Sequence, residues 1–453
     1  MKWRRLRERI ASRLAGDEIL AKLARGGAMA LVIKVAAALL SFLMFLVLAR
    51  ASTIEEFGRF GFAFALSGML SVVGSFGQRM MVMRYAPGYA LEADTPRLVG
   101  VFRYGYALVA AGCLAASAAV AVAALFVPGI GDPDLMLGAA ALTLAIGLAE
   151  FQAAALRTVA GMALALAPRD VFWRLGVTLI AGAWWLSAAP PLTALESLGI
   201  VAGVLFGVVV AQSLMHPLTR PRSLLAAPAR IECHDWRRTA LGLWGVSVIQ
   251  IAGPNFAVVL VGVLAAPEVT AELFAALRIA LLLDLVPLAA AMVASALLSR
   301  QWHAGDVEGV RRICRLVALG SAVPAFGAFL VFLVMGDWIM RRFGEAFAGA
   351  DSLLLVLALG YLAKAVFGPA NLLMQLAGRE RAFMRIVAVC NAGSVVAILV
   401  LTPLLGAMGA AIGASGGMIA WTLWAQEDVR RRLDVDASLL AALRHLMRRR
   451  RGG

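Results

Sequence analysis

Apolar stretches of about 20 residues recur along the whole chain, and nothing else in the sequence restricts the fold so tightly. At 1.5 Å per helical residue, each covers a hydrocarbon core of about 30 Å. They are rich in Ala, Leu, Val and Gly and lack the strict alternation of a barrel strand, so helices are expected. Of the 453 residues, 62% are hydrophobic and only 15% charged. A water-soluble domain is nearer half apolar and a quarter charged, so the excess needs lipid as its solvent. The predicted spans are 26–49, 60–78, 104–127, 135–156, 165–187, 194–215, 240–264, 273–298, 316–335, 352–376, 383–402 and 405–424. No cleavable signal is expected, because the first apolar run continues straight into a full span.

The net charge of +15 could suggest nucleic acid, but its distribution points to topology instead. Of the 42 Lys and Arg residues, 35 fall at or near the side shared by both termini, and 3 lie deeper within spans. Only Arg50, Arg59, Arg341 and Arg342 fall on the opposite side. By the positive-inside rule both termini are expected in the cytoplasm of a bacterial inner membrane protein, with no nucleic-acid partner. Cys113 and Cys390 read as membrane-buried and Cys233 and Cys314 as cytoplasmic, which gives no disulfide framework. The four histidines are scattered, and no metal site is expected.

Residues 1–25 interleave Trp3, Leu6, Ile10 and Leu14 with arginines, the pattern of a basic amphipathic segment on the inner leaflet. The longest polar interruption, 216–239, carries three prolines and five arginines, with six predicted spans on either side. Two matched bundles joined by one linker suggest internal duplication. The expected fold is thus an all-α integral membrane protein of about twelve transmembrane helices, in two six-helix lobes around a central cavity. The lobes are 26–215 and 240–424, with 216–239 a cytoplasmic linker and 425–453 a basic cytoplasmic tail.

Ionisable groups inside a bilayer cost roughly 2.5–3.5 kcal/mol on insertion scales, so each needs a partner or a hydrated cavity. Lys364 and Asp284 lie near the midplane of their spans, and Lys34 roughly 13 Å deep by helical rise. Arg278 and Glu150 sit closer to span ends, where snorkelling competes with a cavity position. A pairing of Asp284 with Lys364 as a packing device competes with a cavity role for both. Read functionally, Lys34, Arg278 and Lys364 outnumber Asp284 and Glu150, giving a cationic cavity suited to an anionic ligand such as a pyrophosphate. Pro254 with Asn255, Pro287 and Pro369 fall within spans as candidate gating kinks; packing kinks account for them equally well. No His/Cys cluster, close carboxylate pair or phosphate-cradling glycine loop marks an enzyme, and no cofactor is expected. Pairs such as Gly409 and Gly413 read as helix packing.

Several segments, in order, resemble the polysaccharide-exporter flippases of the multidrug/oligosaccharidyl-lipid/polysaccharide exporter superfamily. They begin with Leu48-Ala49-Arg50 and Glu55-Glu56-Phe57-Gly58-Arg59-Phe60, then Gly77 and Arg84-Tyr85. The second half adds Phe274-Ala275-Ala276-Leu277-Arg278, Leu298-Ser299-Arg300, Gly305-Asp306 and Phe343-Gly344-Glu345-Ala346-Phe347. Leu357-Ala358-Leu359-Gly360, Gly378-Arg379 and the run Pro403 to Ala411 complete the set, which covers roughly residues 25 to 430. The resemblance implies a V-shaped cavity between two lobes and alternating access that carries a polyprenyl-pyrophosphate-linked oligosaccharide across the membrane for surface polysaccharide synthesis. It also implies coupling to H+ or Na+ in some members, contact with membrane lipids, and polysaccharide polymerase or assembly proteins as partners. Family members often carry an Asp-Arg pair midway along the seventh span, where this chain has Asn255-Phe256. Coupling is therefore expected at Asp284 and Glu150, with Lys34, Arg278 and Lys364 on the headgroup and Arg50 near the outer mouth. Competing readings are a drug or organic-cation exporter of the same fold, a membrane-embedded glycosyltransferase, polymerase or ligase, and a non-transporting member of an assembly complex.

Overall fold

The computed structural model describes residues 29–126, 132–187, 189–251, 254–439 and 441. The basic segment 1–25 and the arginines from Arg444 to Arg451 lie outside the described residues. The chain is an all-α integral membrane protein. Among the described residues the one extended pairing is an isolated bridge between Ser52 and Leu192.

The first half comprises α1 (Met29–Ala51), α2 (Ile54–Gly74), α3 (Gln78–Leu91), α4 (Thr95–Ala124), α5 (Pro133–Val159), α6 (Met162–Ala167), α7 (Trp173–Leu186) and α8 (Ala194–Leu214). A short α9 (Pro221–Ala226) precedes the second half: α10 (Cys233–Ile251), α11 (Pro254–Leu264), α12 (Pro267–Ala280) and α13 (Leu285–His303). There follow α14 (Val307–Phe343), α15 (Asp351–Val366), α16 (Ala370–Leu376), α17 (Glu380–Leu405) and α18 (Ala407–Leu433). Eight helices among the described residues are long and apolar enough to cross a membrane, or nine if the bent pair α15 and α16 is one span. The other three expected spans are also helical but differ in kind. One is split by a π turn at Pro168–Phe172, one is divided between α10 and α11, and α18 is diluted by glycine and alanine.

Local sequence explains the helix ends. Thr53 caps α2 by accepting from the Glu56 amide at 3.2 Å, and Thr193 with Glu196 forms a reciprocal capping box on α8. Glu56 also accepts the Ala194 amide at 2.6 Å, tying the two helix starts together. Large apolar side chains such as Val334, Phe126 and Leu404 stay exposed, as a lipid-facing surface requires.

Two sequence expectations need correction. Residues 78–91, read as loop, form α3, which buries Met81, Val82 and Ala86. The polar linker gives way to α10 at Cys233, earlier than the expected boundary at 239, and Trp236 is fully buried there against Tyr89 and Tyr104. The 37-residue α14 contains Pro324.

The proline-bearing segments show different local geometries. Pro254 opens α11, a position where its missing N–H costs nothing. Pro287 lies in the first turn of α13, just after the 3-10 turn Leu281–Asp284. Pro369 stands in a break that bends α15 against α16 by 46°. Gly368 makes that break feasible: its φ is +67°, and a Cβ there would lie 2.3 Å from the Ala437 carbonyl.

The end of the bundle where α1 begins and α18 finishes is here termed proximal, the other end distal. Distally the two halves are pressed together. A Cβ on Gly58 would lie 1.8 Å from the Pro267 carbonyl oxygen, so α2 and α12 touch backbone to backbone. Phe57 packs edge-on against Phe274 and Phe347, and Phe42 against Phe343. Arg50 closes the seam by donating to the carbonyls of Arg342 at 2.6 Å and Arg341 at 2.9 Å. A cation is favoured there, at the C-terminal end of α14.

Candidate functional site: a basic cavity and its neutral neighbour

Pro168 governs the geometry of the first cavity. Lacking an N–H, it cannot donate to the Leu164 carbonyl, and the helix widens into a π turn over Pro168–Phe172. The Gln212 side-chain amide donates instead to the carbonyls of Leu164 at 2.6 Å and Ala165 at 3.2 Å. Gln152 steadies Gln212 by donating to its side-chain oxygen at 3.1 Å and to the Val209 carbonyl at 2.8 Å. This buried network fixes a turn that presents Arg169, Asp170 and, one turn on, Arg174.

Around it lies a dense charge cluster. Lys34 pairs with Asp170 at 2.8 Å, Arg169 with Asp170 at 2.9 Å, and Arg79 with Glu150 at 3.0 Å. Arg169 also pairs with Glu150. Arg174 donates to the Ser41 hydroxyl and the Asp170 carbonyl, with its guanidinium 4.6 Å from the Trp173 ring centroid. Four cations thus face two carboxylates, and the balance is positive. A cavity of about 230 Å³ opens beside them, lined by Arg79, Glu150, Arg169, Asp170, Arg174 and Asn255 among others.

Arg278 stands between the halves. Its guanidinium lies 4.5 Å from the Phe274 ring centroid, 5.0 Å from that of Phe45 and 5.3 Å from that of Phe64. Cation–π attraction contributes about 2 kcal/mol when desolvated. It leaves the edge donors free: Nε and one terminal nitrogen are buried with no protein acceptor. Arg278 does not snorkel to an interface. One of its ring partners, Phe64, also lines the cavity just described.

The second cavity, about 600 Å³, belongs to the C-terminal half. Lys364 and Asp284 pair there at 2.7 Å, each side chain about 30% exposed (31% and 29%). The pair expected from their depth is formed, and both residues line this cavity. Their charges cancel, so this cavity is neutral where the first is positive.

The expected cationic group is therefore distributed. Lys34 and Glu150 join the first cluster, Arg278 bridges, and Lys364 with Asp284 line the second cavity. Arg50 is not brought to either cavity, because its donors are spent on the distal seam. Of the candidate kink residues, Asn255 lines the basic cavity, whereas Pro287 and Pro369 border a smaller space of about 120 Å³ beside Asp284 and Lys364. Sequence reasoning missed Arg79, Arg169, Asp170 and Arg174. The signal was present: three of them lie within the fifth predicted span, where a charge normally marks a function or a partner.

The architecture is similar in fold to solved transporters of the MOP superfamily. An inward-facing multidrug resistance MATE family transporter aligns over 89% of this chain and 95% of its own, with a TM-score of 0.58 at 13% identity. The lipid II flippase MurJ, in an inward closed conformation, aligns over 88% and 87% respectively, with a TM-score of 0.57 at 14% identity. A MOP superfamily transporter from Pyrococcus furiosus aligns over 91% and 95%, with a TM-score of 0.55 at 12% identity. No family model and no curated protein sequence matches the chain. At these identities the likeness is one of fold.

Proposed function

We propose that this chain is a flippase that moves a polyprenyl-pyrophosphate-linked oligosaccharide across the bacterial inner membrane by alternating access, for surface polysaccharide synthesis. The observation that carries the reading is the positive cavity at the Pro168 turn; Arg278, with its buried, unpaired donors, stands between the two halves beside the Phe64 ring that lines this cavity. A pyrophosphate supplies the acceptors these donors lack, and charge-assisted pairs of this kind are the strong ones. Such a ligand explains why the bilayer interior tolerates more cations than carboxylates here.

The proximal end is assigned to the cytoplasm, where the basic excess lies, and both termini with it. In this conformation the distal seam is closed. Residues 26–215 and 240–424 act as the two moving lobes, joined by the linker from 216. The chain works by transport and not by catalysis. Its driving ion, H+ or Na+, is taken at Glu150 or Asp284, the carboxylates already held by cations and so able to exchange a partner. Polysaccharide polymerase and assembly proteins are its expected neighbours.

A drug or organic-cation exporter shares the fold, and the MATE relatives carry that description. Such cargo favours cavities with spare carboxylates. Here every carboxylate in the two cavities is paired with a cation. In cells whose only flippase is this chain, Arg174→Ala and Arg278→Ala are expected to abolish glycan export at normal protein level. Wild-type export in both variants, or resistance to cationic drugs that depends on Asp284, would turn the assignment toward the exporter.

A further inference from the structure

The 600 Å³ cavity of the C-terminal half has no role yet beyond housing one ion pair. We propose that it is the sugar subsite, a neutral hydrogen-bonding chamber that receives the first sugar units while the pyrophosphate rests on the basic cavity. This rests on the flippase reading and extends it to substrate recognition.

Four observations point to a carbohydrate. Half of the lining residues carry polar or charged side chains, which an acyl chain would leave unsatisfied. The charges are the Asp284–Lys364 pair alone, so neither an anion nor a cation finds an unpaired partner. Two hydroxyls are buried against the cavity with no protein partner: Tyr361, 2% exposed, and Ser415, 5% exposed. Buried hydroxyls are normally bonded, and a sugar offers both donors and acceptors to them. Finally, Trp421 and Phe383 both line the space, their rings in a T-shaped pair with centroids 5.9 Å apart, and aromatic rings are surfaces on which a pyranose ring lies. The size lies within the roughly 300–1,000 Å³ that holds compact ligands.

The two chambers are also in sequence. Arg278 stands between them: its guanidinium lies 5.3 Å from the Phe64 ring centroid, which lines the basic cavity, and the adjacent Leu277 lines this one. A pyrophosphate seated between Arg174 and Arg278 would direct its attached sugar toward Tyr361.

The test uses the full chain in lipid nanodiscs and two probes: bare polyprenyl pyrophosphate, and the same carrier bearing oligosaccharide extracted from the host membrane. Affinity is measured for wild type, Tyr361→Phe, Ser415→Ala and the double variant, all of which keep the cavity's shape. The sugar-bearing carrier is expected to bind wild type at least about tenfold more tightly than the bare carrier, and the double variant is expected to lose about tenfold, the worth of two hydrogen bonds. Affinity for the bare carrier stays unchanged. Sugar that adds nothing to affinity, or variants that weaken both probes equally, overturns the sugar subsite and leaves the flippase reading standing. If neither probe binds wild type, both fall together.

Discussion

Gly58→Ala tests how the distal end is sealed. A Cβ at that position would lie 1.8 Å from the Pro267 carbonyl oxygen, whereas real Cβ contacts essentially never fall below 3.0 Å. The backbone of α12 must therefore retreat by about 1.2 Å or more, since the obstacle is a carbonyl and not a flexible side-chain tip. Overpacking of this kind costs about 1–3 kcal/mol. If the cost falls only on the sealed state, the equilibrium shifts toward distal opening by roughly 5- to 150-fold. Spin labels at Glu55 and Glu268, both exposed beside the seam, report it in a background lacking Cys113, Cys233, Cys314 and Cys390. Wild type should give one short interspin distance, and Gly58→Ala a second, longer population. An unchanged distribution with unchanged thermal stability would refute the backbone contact as the seal.

Gln212→Met, unbranched and of similar length, strips the donors from the Leu164 and Ala165 carbonyls and should destabilise the π turn by about 1–3 kcal/mol. A lowered melting temperature with weakened carrier binding is expected, and wild-type values for both would show that the turn holds itself. Gly368→Ala forces a left-handed residue and a clash with the Ala437 carbonyl, costing at least about 1 kcal/mol, and thermal unfolding of the purified protein reads it directly. Glu150→Gln releases Arg79 and Arg169 from their shared carboxylate, so bare polyprenyl pyrophosphate should bind severalfold more tightly at low salt. Weaker binding would mean that Glu150 positions these arginines and does not merely compete for them.

The helical membrane architecture was legible because its cause is local: an apolar stretch of about 20 residues has few alternatives. Depth within a span likewise marked Lys34, Asp284 and Lys364 as residues that need company. What the sequence did not disclose is the identity of that company. Lys34 meets Asp170 across 136 positions of chain, and only the packing of α1 on the Pro168 turn decides it. Arg169 and Arg174 were counted with the basic margin of the membrane, because a π turn has no periodicity to read and a one-residue change in register moves a charge from interface to cavity. The partners of Arg50 were hidden for a related reason: they are backbone carbonyls of α14, which carry no side-chain signature. Gly58 was noted as part of a motif, yet its contact with Pro267 becomes visible only once the halves are set side by side.

Transport itself can be observed with purified protein in vesicles loaded with a fluorescent polyprenyl-pyrophosphate-linked sugar, by following its appearance in the opposite leaflet. The account predicts rapid movement with wild type and movement no faster than in protein-free vesicles with Arg174→Ala or Arg278→Ala. Wild type that moves no carrier, or arginine variants that move it at the wild-type rate, would contradict it.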